Sequence, residues 1–215
     1  ADVTRISFAC PQDINGGNGD PSSTEIFLFD TVTMMFTQIT DTTFPVSNLG
    51  NSINANGTLV AFDSTGDLTG MNADGSREIF LYNTVTDMIT QITDSPNVAG
   101  INSSGPSING PGNRIAFQSR ANLTGQNPDN NREVFFFDSN TDLITQVTSS
   151  VGSDNDSFGA SIDAQGNLIA FATEADINGG NPEGNDEIYF FDINAGTFTQ
   201  ITQSTSGDSN SPDIN

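Results

Sequence analysis

Short apolar segments recur along the chain, and stretches rich in Gly, Asn, Asp and Ser separate them. The most regular segments are EIFLFD at 25–30, EIFLYN at 78–83, EVFFFD at 133–138 and EIYFFD at 187–192. Their apolar residues stand at consecutive positions, which is typical of strands that are covered on both faces. β-branched and aromatic residues dominate these segments, as expected for strands rather than helices. The pattern therefore predicts an all-β protein.

A second marker, TQIT or TQVT, follows each of these segments. Its copies begin at Thr37, Thr90, Thr145 and Thr199, so they are separated by 53, 55 and 54 residues. Self-similarity at such a period is the signature of a repeated supersecondary unit. We therefore expect the 215 residues to contain four copies of one unit.

Each copy contains four strand signals, which in the second copy are Ser52–Asn54, Leu59–Ser64, Glu78–Asn83 and Met88–Thr93. The pair Asn56–Gly57 lies between the first two and predicts a two-residue hairpin turn with positive φ at both central positions. The last strand alternates Ile with Thr and Gln, which indicates a half-exposed strand. Four-stranded antiparallel units with both faces covered, repeated around an axis, form a β-propeller.

The two termini supply complementary parts of one copy. Ser211–Asn215 matches the first strand of a copy and Ala1–Cys10 matches the second, and the joined sequence aligns without a gap on Ser107–Ser119. We therefore expect strands from the two termini to pair and close the ring. The whole chain, 1–215, is then a single propeller domain whose blades are approximately 211–215 plus 1–40, 51–93, 106–148 and 160–202.

The repeated motifs resemble those of a known family. The pattern Ser-x-Asp/Asn-x-x-Gly-x-x-Ile-Ala-Phe, followed by Glu-Ile-Phe-Leu-Tyr-Asp and then Gln-Ile-Thr, is similar to the TolB-type, WD40-like propeller repeat of bacteria over essentially the full chain. The resemblance implies the fold and little about function. Familiar members have more and shorter blades, so two arrangements stay open. We favour a monomer with four blades, and the alternative is a homodimer that pools its strands into an eight-bladed ring.

The charge balance limits the possible partners. Five Lys plus Arg stand against 27 Asp plus Glu, which gives a net charge of −22. Such a field repels nucleic acid and anionic lipid, and it attracts cations. No apolar stretch approaches the roughly 20 residues that a membrane helix needs, so we expect no membrane insertion. Abundant Asp, Asn, Ser, Thr and Gly without Lys or His resembles secreted bacterial repeat proteins exposed to calcium, and adaptation to high salt is the alternative. We expect a secreted or periplasmic location.

The loop between the second and third strands is acidic in every copy. Asp, Asn and Glu side chains recur there at short intervals around Gly residues, and calcium takes about six to eight such oxygen ligands. We therefore predict structural Ca²⁺ at these loops, and the third loop should bind it most weakly because Asn122 replaces Asp. In the alternative interpretation the side chains only shape the turns, while Glu holds Arg77 or Arg132. The predicted ligands are Asp13, Asn18, Asp20, Glu25, Asp67, Asn72, Asp74, Glu78, Asn122, Asn127, Asp129, Glu133, Asp176, Asn181, Glu183 and Glu187.

Several classes of enzyme are excluded by composition. The chain has no His or Lys and a single Cys, so a Ser-His-Asp triad is impossible. We predict no catalytic residues and no organic cofactor. A carboxylate-dependent glycoside hydrolase or lyase is an alternative, although fourfold repetition argues against one distinct active site. A lectin is a further alternative, weakened by the absence of Trp.

The arrangement of the loops suggests where function resides. Both long connections of each copy, from the second to the third strand and from the fourth strand to the next copy, emerge on one face of a propeller. Patterned loops on a rigid scaffold are where binding is usually placed. We therefore predict a non-enzymatic binding or scaffold protein that recognises a protein or cell-envelope partner through this face.

Overall fold

The structure, a computed structural model, describes residues 4–14, 16–152 and 155–215. In those residues it contains strands and no helix, so none is long and apolar enough to cross a membrane. The all-β prediction is confirmed. The strands are β1 (Arg5–Cys10), β2 (Glu25–Asp30), β3 (Met35–Gln38), β4 (Asn48–Ile53), β5 (Leu59–Ser64), β6 (Glu78–Asn83), β7 (Met88–Gln91), β8 (Ser103–Ile108), β9 (Arg114–Ser119), β10 (Glu133–Asp138), β11 (Leu143–Gln146), β12 (Ser157–Ile162), β13 (Leu168–Thr173), β14 (Glu187–Asp192) and β15 (Thr197–Gln200).

The strands form four antiparallel sheets in which sequence neighbours pair. The first sheet has three strands in the order β1-β2-β3, and the others have four, in the orders β4-β5-β6-β7, β8-β9-β10-β11 and β12-β13-β14-β15. Each four-stranded sheet is one copy of the repeat, as the sequence predicts. Sheets of this kind are the blades from which propellers are built.

The strand boundaries agree with the apolar segments of the sequence, with two differences. The outer strand β7 ends at Gln91 rather than Thr93, because the Thr93 side chain turns inward and its hydroxyl accepts a hydrogen bond from the N–H of Ile79 at 2.9 Å. The inner strand β4 begins at Asn48, four residues before the predicted Ser52. Its register with β5 shifts between Leu49 and Ser52. This bulge interrupts the regular alternation of residues, so the start of the strand cannot be recognised from the sequence pattern.

The prediction of a two-residue turn at Asn56–Gly57 is wrong. Only Gly57 has positive φ, at 70°, and the closing backbone bond runs from the N–H of Asn54 to the carbonyl of Leu59 at 3.0 Å. The cause is the Asn54 side chain. Its Oδ1 accepts the N–H groups of Thr58 and Leu59, both at 2.9 Å, and this stabilises a longer turn than Asn-Gly requires.

The chain divides into two compact units, Ala1–Ile108 and Asn109–Asn215. In both, stacked ring pairs such as Phe62–Phe80 and Phe117–Phe135 join neighbouring strands of one sheet, at 5.7 and 5.8 Å between centroids. Burial of each such side chain stabilises the fold by roughly 1.5–3 kcal/mol. The buried core of the first unit is Ile26, Leu28, Val60, Phe62, Phe80 and Tyr82, and that of the second is Ala116, Val134, Phe136, Val147, Ala160, Ile162, Ile169, Phe171 and Tyr189. A single domain over 1–215 stays a prediction.

The described residues contain no closed sheet. β1 is an edge strand of the three-stranded sheet, and Ser211–Asn215 forms no strand. The terminal segment instead lies against β12, where the N–H of Ile214 donates to Ser161 Oγ at 3.3 Å and Asp213 accepts from the same hydroxyl at 3.1 Å. The predicted approach of Asn215 to Ala1 lies outside the described residues. Ring closure therefore stays a prediction.

Candidate functional site

Each acidic loop joins two neighbouring strands of one sheet. The four loops span 11–24, 65–77, 120–132 and 174–186, and each leads into a strand that begins with Glu. We refer to them as the first to fourth acidic loops and include that Glu in each. The polar segments that leave the last strand of each sheet, at 39–47, 92–102, 147–156 and 201–210, are called the long connections.

The first acidic position of each loop closes a turn. Asp67 Oδ1 accepts the backbone N–H of Asn72 at 2.9 Å, and the corresponding distances in the first, third and fourth loops are 3.3, 2.8 and 3.0 Å. Asn122 makes this bond as well as the Asp residues do. The position therefore shapes the loop in all copies, and this part of the alternative interpretation describes Asp13, Asp67, Asn122 and Asp176.

The next conserved position among the copies is a buried asparagine. Asn18, Asn72, Asn127 and Asn181 are each 1–2% exposed. Their side-chain amides donate to backbone carbonyls across the loop, for example from Asn72 Nδ2 to the carbonyls of Gly66 at 3.2 Å and Ser76 at 2.9 Å. These bonds hold the two ends of the loop together.

The third position joins the acidic loop to the long connection of the same copy. Asp20 accepts the N–H of Phe44 at 2.8 Å, Asp74 that of Asn97 at 2.9 Å, and Asp129 that of Gly152 at 2.7 Å. In these three copies the bonds place the acidic loop beside the long connection. Backbone N–H groups hold the pKa of Asp20 and Asp74 below the usual range, chiefly Phe44 for the former and Ser76 for the latter. Glu183 is exposed and makes no hydrogen bond to any described residue.

The glutamate that ends each loop is an anchor for the long connection. Glu25, Glu78, Glu133 and Glu187 are fully buried. Glu78 accepts the N–H of Ser95 at 2.8 Å, and it also accepts the hydroxyls of Ser76, Thr93 and Ser95. The expectation that Glu holds a neighbouring Arg is wrong for Arg77. That guanidinium pairs with Asp63, which lies opposite Ile79 on the adjacent strand.

Burial and hydrogen bonds shift the pKa values of these carboxyls in opposite directions. Burial raises the pKa of Glu133 above its usual value, against the effect of the Thr148 and Ser150 hydroxyls. At Glu187 burial acts in the same direction but is outweighed by Thr202, Ser204 and Asn185, which lower the pKa to about 2. Burial and the charges of Asp208, Glu174 and Asp156 raise the pKa of Asp186. Negative charge is therefore concentrated beside the fourth loop.

One of the positions at which the third and fourth loops differ from the second lies two residues before the buried Glu. Ser76 in the second loop corresponds to Asn131 and Asn185, which sequence analysis did not include among the candidate residues. In these two loops several buried side-chain oxygens accept no hydrogen bond from a described residue. They are Asn127 Oδ1, Asn131 Oδ1 and Glu133 Oε2 in the third loop, and Asn181 Oδ1, Asn185 Oδ1, Asp186 Oδ1 and Glu187 Oε2 in the fourth.

The carboxylates do not by themselves form a metal cluster. Within residues 4–14, 16–152 and 155–215, no group of three or more His, Cys, Asp or Glu side chains could hold a metal ion. Any cation would therefore need amide oxygens as ligands, and Asn side chains are suitable for calcium.

A cavity of about 290 Å³ lies in the second unit. Residues 147–150 of the third long connection form one wall, and Asp176, Ile177 and Phe198 contribute to the remainder. Asp176 is the one carboxylate among the residues that line it, and its Oδ1 accepts the N–H of Asn181. A mechanism with two opposed carboxylates would need a second one at this cavity.

The fold is similar to that of known β-propeller proteins. Oligogalacturonate lyase from Vibrio parahaemolyticus superposes with a TM-score of 0.58 at 11% identity over 95% of this chain and 50% of that chain. The tricorn protease superposes with a TM-score of 0.56 at 12% identity over 88% of this chain and 17% of that chain. A chain of a mitotic checkpoint complex has a TM-score of 0.50 at 9% identity, over 85% and 45%.

At such identities the likeness concerns the fold alone, and this chain spans half or less of each of these proteins. No protein-family model matches the chain, and no curated protein matches its sequence. The comparisons therefore support propeller blades and indicate no specific activity.

Proposed function

We propose that this chain is a non-enzymatic β-propeller that recognises a protein or cell-envelope partner through the surface formed by its acidic loops and long connections. The observation that carries the proposal is the set of bonds from Asp20, Asp74 and Asp129 to the long connections. These bonds hold the irregular long connections in one conformation in the absence of a partner. A preordered surface loses less conformational entropy on binding than a mobile one.

Exposed apolar side chains on this surface support the proposal. Val151 is 80% exposed and Phe44 is 68% exposed, each beside an Asp-tethered backbone group of a long connection. Met71 and Val98 add further exposed apolar area in the second copy. Apolar anchors within a polar rim are the usual anatomy of a recognition surface. The surrounding acid favours a partner with positive charge or a bridging cation.

The proposal can be tested with a partner captured by pull-down from the native source. Val151→Ser should weaken binding about tenfold, the effect of losing a modest apolar anchor. Val85→Ser is the matched control, because Val85 is 77% exposed but lies in the short turn after β6. Binding that is lost in the Val85 variant and kept in the Val151 variant would overturn the proposal.

Charge should contribute through Glu183, whose exposed carboxylate accepts no hydrogen bond from a described residue. The test is made in chelator, because Glu183 is also a candidate cation ligand. Glu183→Lys should weaken binding, and the difference from the parent should shrink at high salt because exposed charges are screened. Charge reversal at Asp74 or Asp129 should also weaken binding, but partly by releasing a long connection. Changes at Thr86 or Asn140 in the short turns should have no effect.

We also propose that Ser211–Asn215 supplies the fourth strand of the first sheet, beside β1, and so closes a ring. The support is a matching contact in both units. The N–H of Ile108 on β8 donates to Ser52 Oγ at 3.2 Å, and the N–H of Ile214 donates to Ser161 Oγ at 3.3 Å. The terminal segment thus lies against β12 as an inner strand of the next blade would.

Deletion of Ser211–Asn215 should lower the melting temperature and promote association, because it exposes the edge of β1. Native mass spectrometry of the parent separates the four-bladed monomer, which we favour, from the eight-bladed dimer. A truncated chain that melts like the parent would contradict closure. The TolB-type relationship and a secreted or periplasmic location complete the proposal.

A further inference from the structure

The third acidic loop contains buried oxygens that have no hydrogen-bond donor among the described residues. Asn127 and Asn131 are both 1% exposed, and the Oδ1 atom of each accepts no hydrogen bond from any described residue. In the fourth loop the Oδ1 atoms of Asn181, which is 2% exposed, and of Asn185, which is half-buried, also accept no hydrogen bond from a described residue. A buried polar atom that has lost water and found no partner destabilises the fold, so native proteins rarely leave it unpaired.

The amide orientations that create this situation are determined by other bonds. Asn127 Nδ2 donates to the carbonyl oxygens of Arg120 at 3.4 Å and Asn131 at 2.9 Å. Asn131 Nδ2 donates to Ser150 Oγ at 2.8 Å and faces the Ser150 and Asn155 carbonyls at 3.3 and 3.5 Å. Rotating either amide would set its oxygen against carbonyl oxygens. The unpaired atoms are therefore oxygens, which can only accept.

The second loop shows that side chains at these positions converge on one point. Ser76 Oγ lies 2.9 Å from Asn72 Oδ1, 2.9 Å from Asp74 Oδ1 and 2.7 Å from Glu78 Oε1. The corresponding residues are Asn127, Asp129 and Glu133 in the third loop, and Asn181, Glu183 and Glu187 in the fourth. Replacement of Ser by Asn removes this hydroxyl and adds a carbonyl oxygen that accepts no hydrogen bond from a described residue, although in the fourth loop Asn185 Nδ2 donates to Glu187 Oε1 at 2.8 Å.

We propose that the third and fourth acidic loops each bind a divalent cation of the calcium type, whereas the first and second do not. The third loop would use the amide oxygens of Asn127 and Asn131 with the carboxylates of Asp129 and Glu133. The fourth would use Asn181 and Asn185 with Glu183 and Glu187. Two neutral amide oxygens, two carboxylates and water molecules form a coordination shell that calcium accepts and that balances its charge.

The proposal narrows the ligand set that the sequence predicts. Asp13, Asp67, Asn122 and Asp176 act as turn-closing acceptors. In the first two loops the buried Asn oxygens lie within hydrogen-bond distance of the Ser23 and Ser76 hydroxyls, at 3.4 and 2.9 Å. Asn131 and Asn185 are the additional ligands. The third loop is then one of the binding loops, although its Asn122 lacks the charge of the Asp at the other copies. The proposal does not depend on partner recognition, because the ligands lie inside single loops.

Native mass spectrometry of the full chain, with calcium or with chelator, tests this assignment. The parent should carry two Ca²⁺, Asn131→Ser one, and the double variant Asn131→Ser with Asn185→Ser none. These variants should fold, because the second loop already carries Ser at this position. Ser76→Asn is the matched converse and should raise the count to three.

Thermal unfolding provides the second measurement. Calcium should raise the melting temperature of the parent at matched ionic strength, and the double Ser variant should not respond, because only binding to the folded state adds stability. A parent that binds no calcium and melts identically in chelator would overturn the proposal in favour of a buried water or a protonated Glu133. Equal calcium counts in the parent and the double variant would overturn the choice of residues.

Discussion

The second and third acidic loops, NADGSRE at 72–78 and NPDNNRE at 127–133, share their Asn, Asp, Arg and Glu residues but differ in hydrogen bonding. In the second, the Ser76 hydroxyl donates into a group of oxygens, and Glu78 accepts three hydroxyls and one backbone N–H. In the third, Asn131 brings another acceptor, and three buried oxygens have no donor among the described residues. The change from Ser to Asn at this repeat position thus leaves buried oxygens without a donor among the described residues, and we propose that a cation supplies the missing partner.

The largest effect should follow from replacing the buried glutamates in the absence of calcium. Glu78→Gln places an amide among donors that Glu78 now accepts, so the free energy of unfolding should fall by about 3 kcal/mol, as for loss of strong bonds to a buried charge. Glu133→Gln should lower the free energy of unfolding by less than half as much, because the new amide can donate to the unpaired oxygens of the third loop. Urea unfolding in chelator measures both. Equal decreases in the free energy of unfolding for the two variants would contradict the difference in hydrogen bonding between the second and third loops.

The stabilities of the two variants should also respond differently to calcium. Glu133→Gln removes a ligand of the third-loop site only, so its stabilisation by calcium should be smaller than the parent's, whereas Glu78→Gln should keep the parent's full calcium response. A response equal to the parent's in the Glu133 variant would remove this residue from the proposed site. Repeating the unfolding curves in calcium supplies the measurement.

A smaller effect should appear on acidification, to which Asp20 and Asp74 of the first two loops contribute together with Glu187 of the fourth. The pKa of Asp20 and Asp74 is lowered in the folded state, so both contribute stability above the unfolded value near 3.8 and lose it as pH falls through the folded pKa. Asp74→Asn should therefore flatten the decline of melting temperature below about pH 3.8. Melting curves between pH 5 and pH 2 in chelator check this. An unchanged slope would show that the Asp74 bonds are not maintained in solution.

The strands could be predicted from the sequence because their signals are local and repeated four times. Glu78–Asn83 and its three counterparts were identified with their observed boundaries, since apolar runs and flanking turn residues both mark them. The bulge at the start of β4 and the turn after Asn54 could not be read in this way. The bulge depends on an irregular residue that interrupts the regular pairing of β4 with β5. The turn depends on the Asn54 side chain, which accepts hydrogen bonds from Thr58 and Leu59 and so overrides the usual preference of Asn-Gly for a two-residue turn.

The candidate site was predicted less well, because spacing identifies oxygen atoms but not their partners. Asp67 and Asp74 look alike in sequence, yet one closes a turn and the other ties down a long connection. Asn131 was missed although Asn127, Asp129, Asn131 and Glu133 stand at alternate positions. Asn131 could have been identified by comparing the copies at a position where they differ, Ser76 against Asn131. The residues that all copies share do not reveal it.

The most direct test of the central claim compares all four acidic loops within one molecule by amide hydrogen exchange, with calcium and with chelator at matched ionic strength. The account predicts that calcium slows exchange in 120–133 and 174–187 and leaves 11–25 and 65–78 unchanged, because only the former need an ion to pair their buried oxygens. Equal protection of all four loops, or of none, would contradict it.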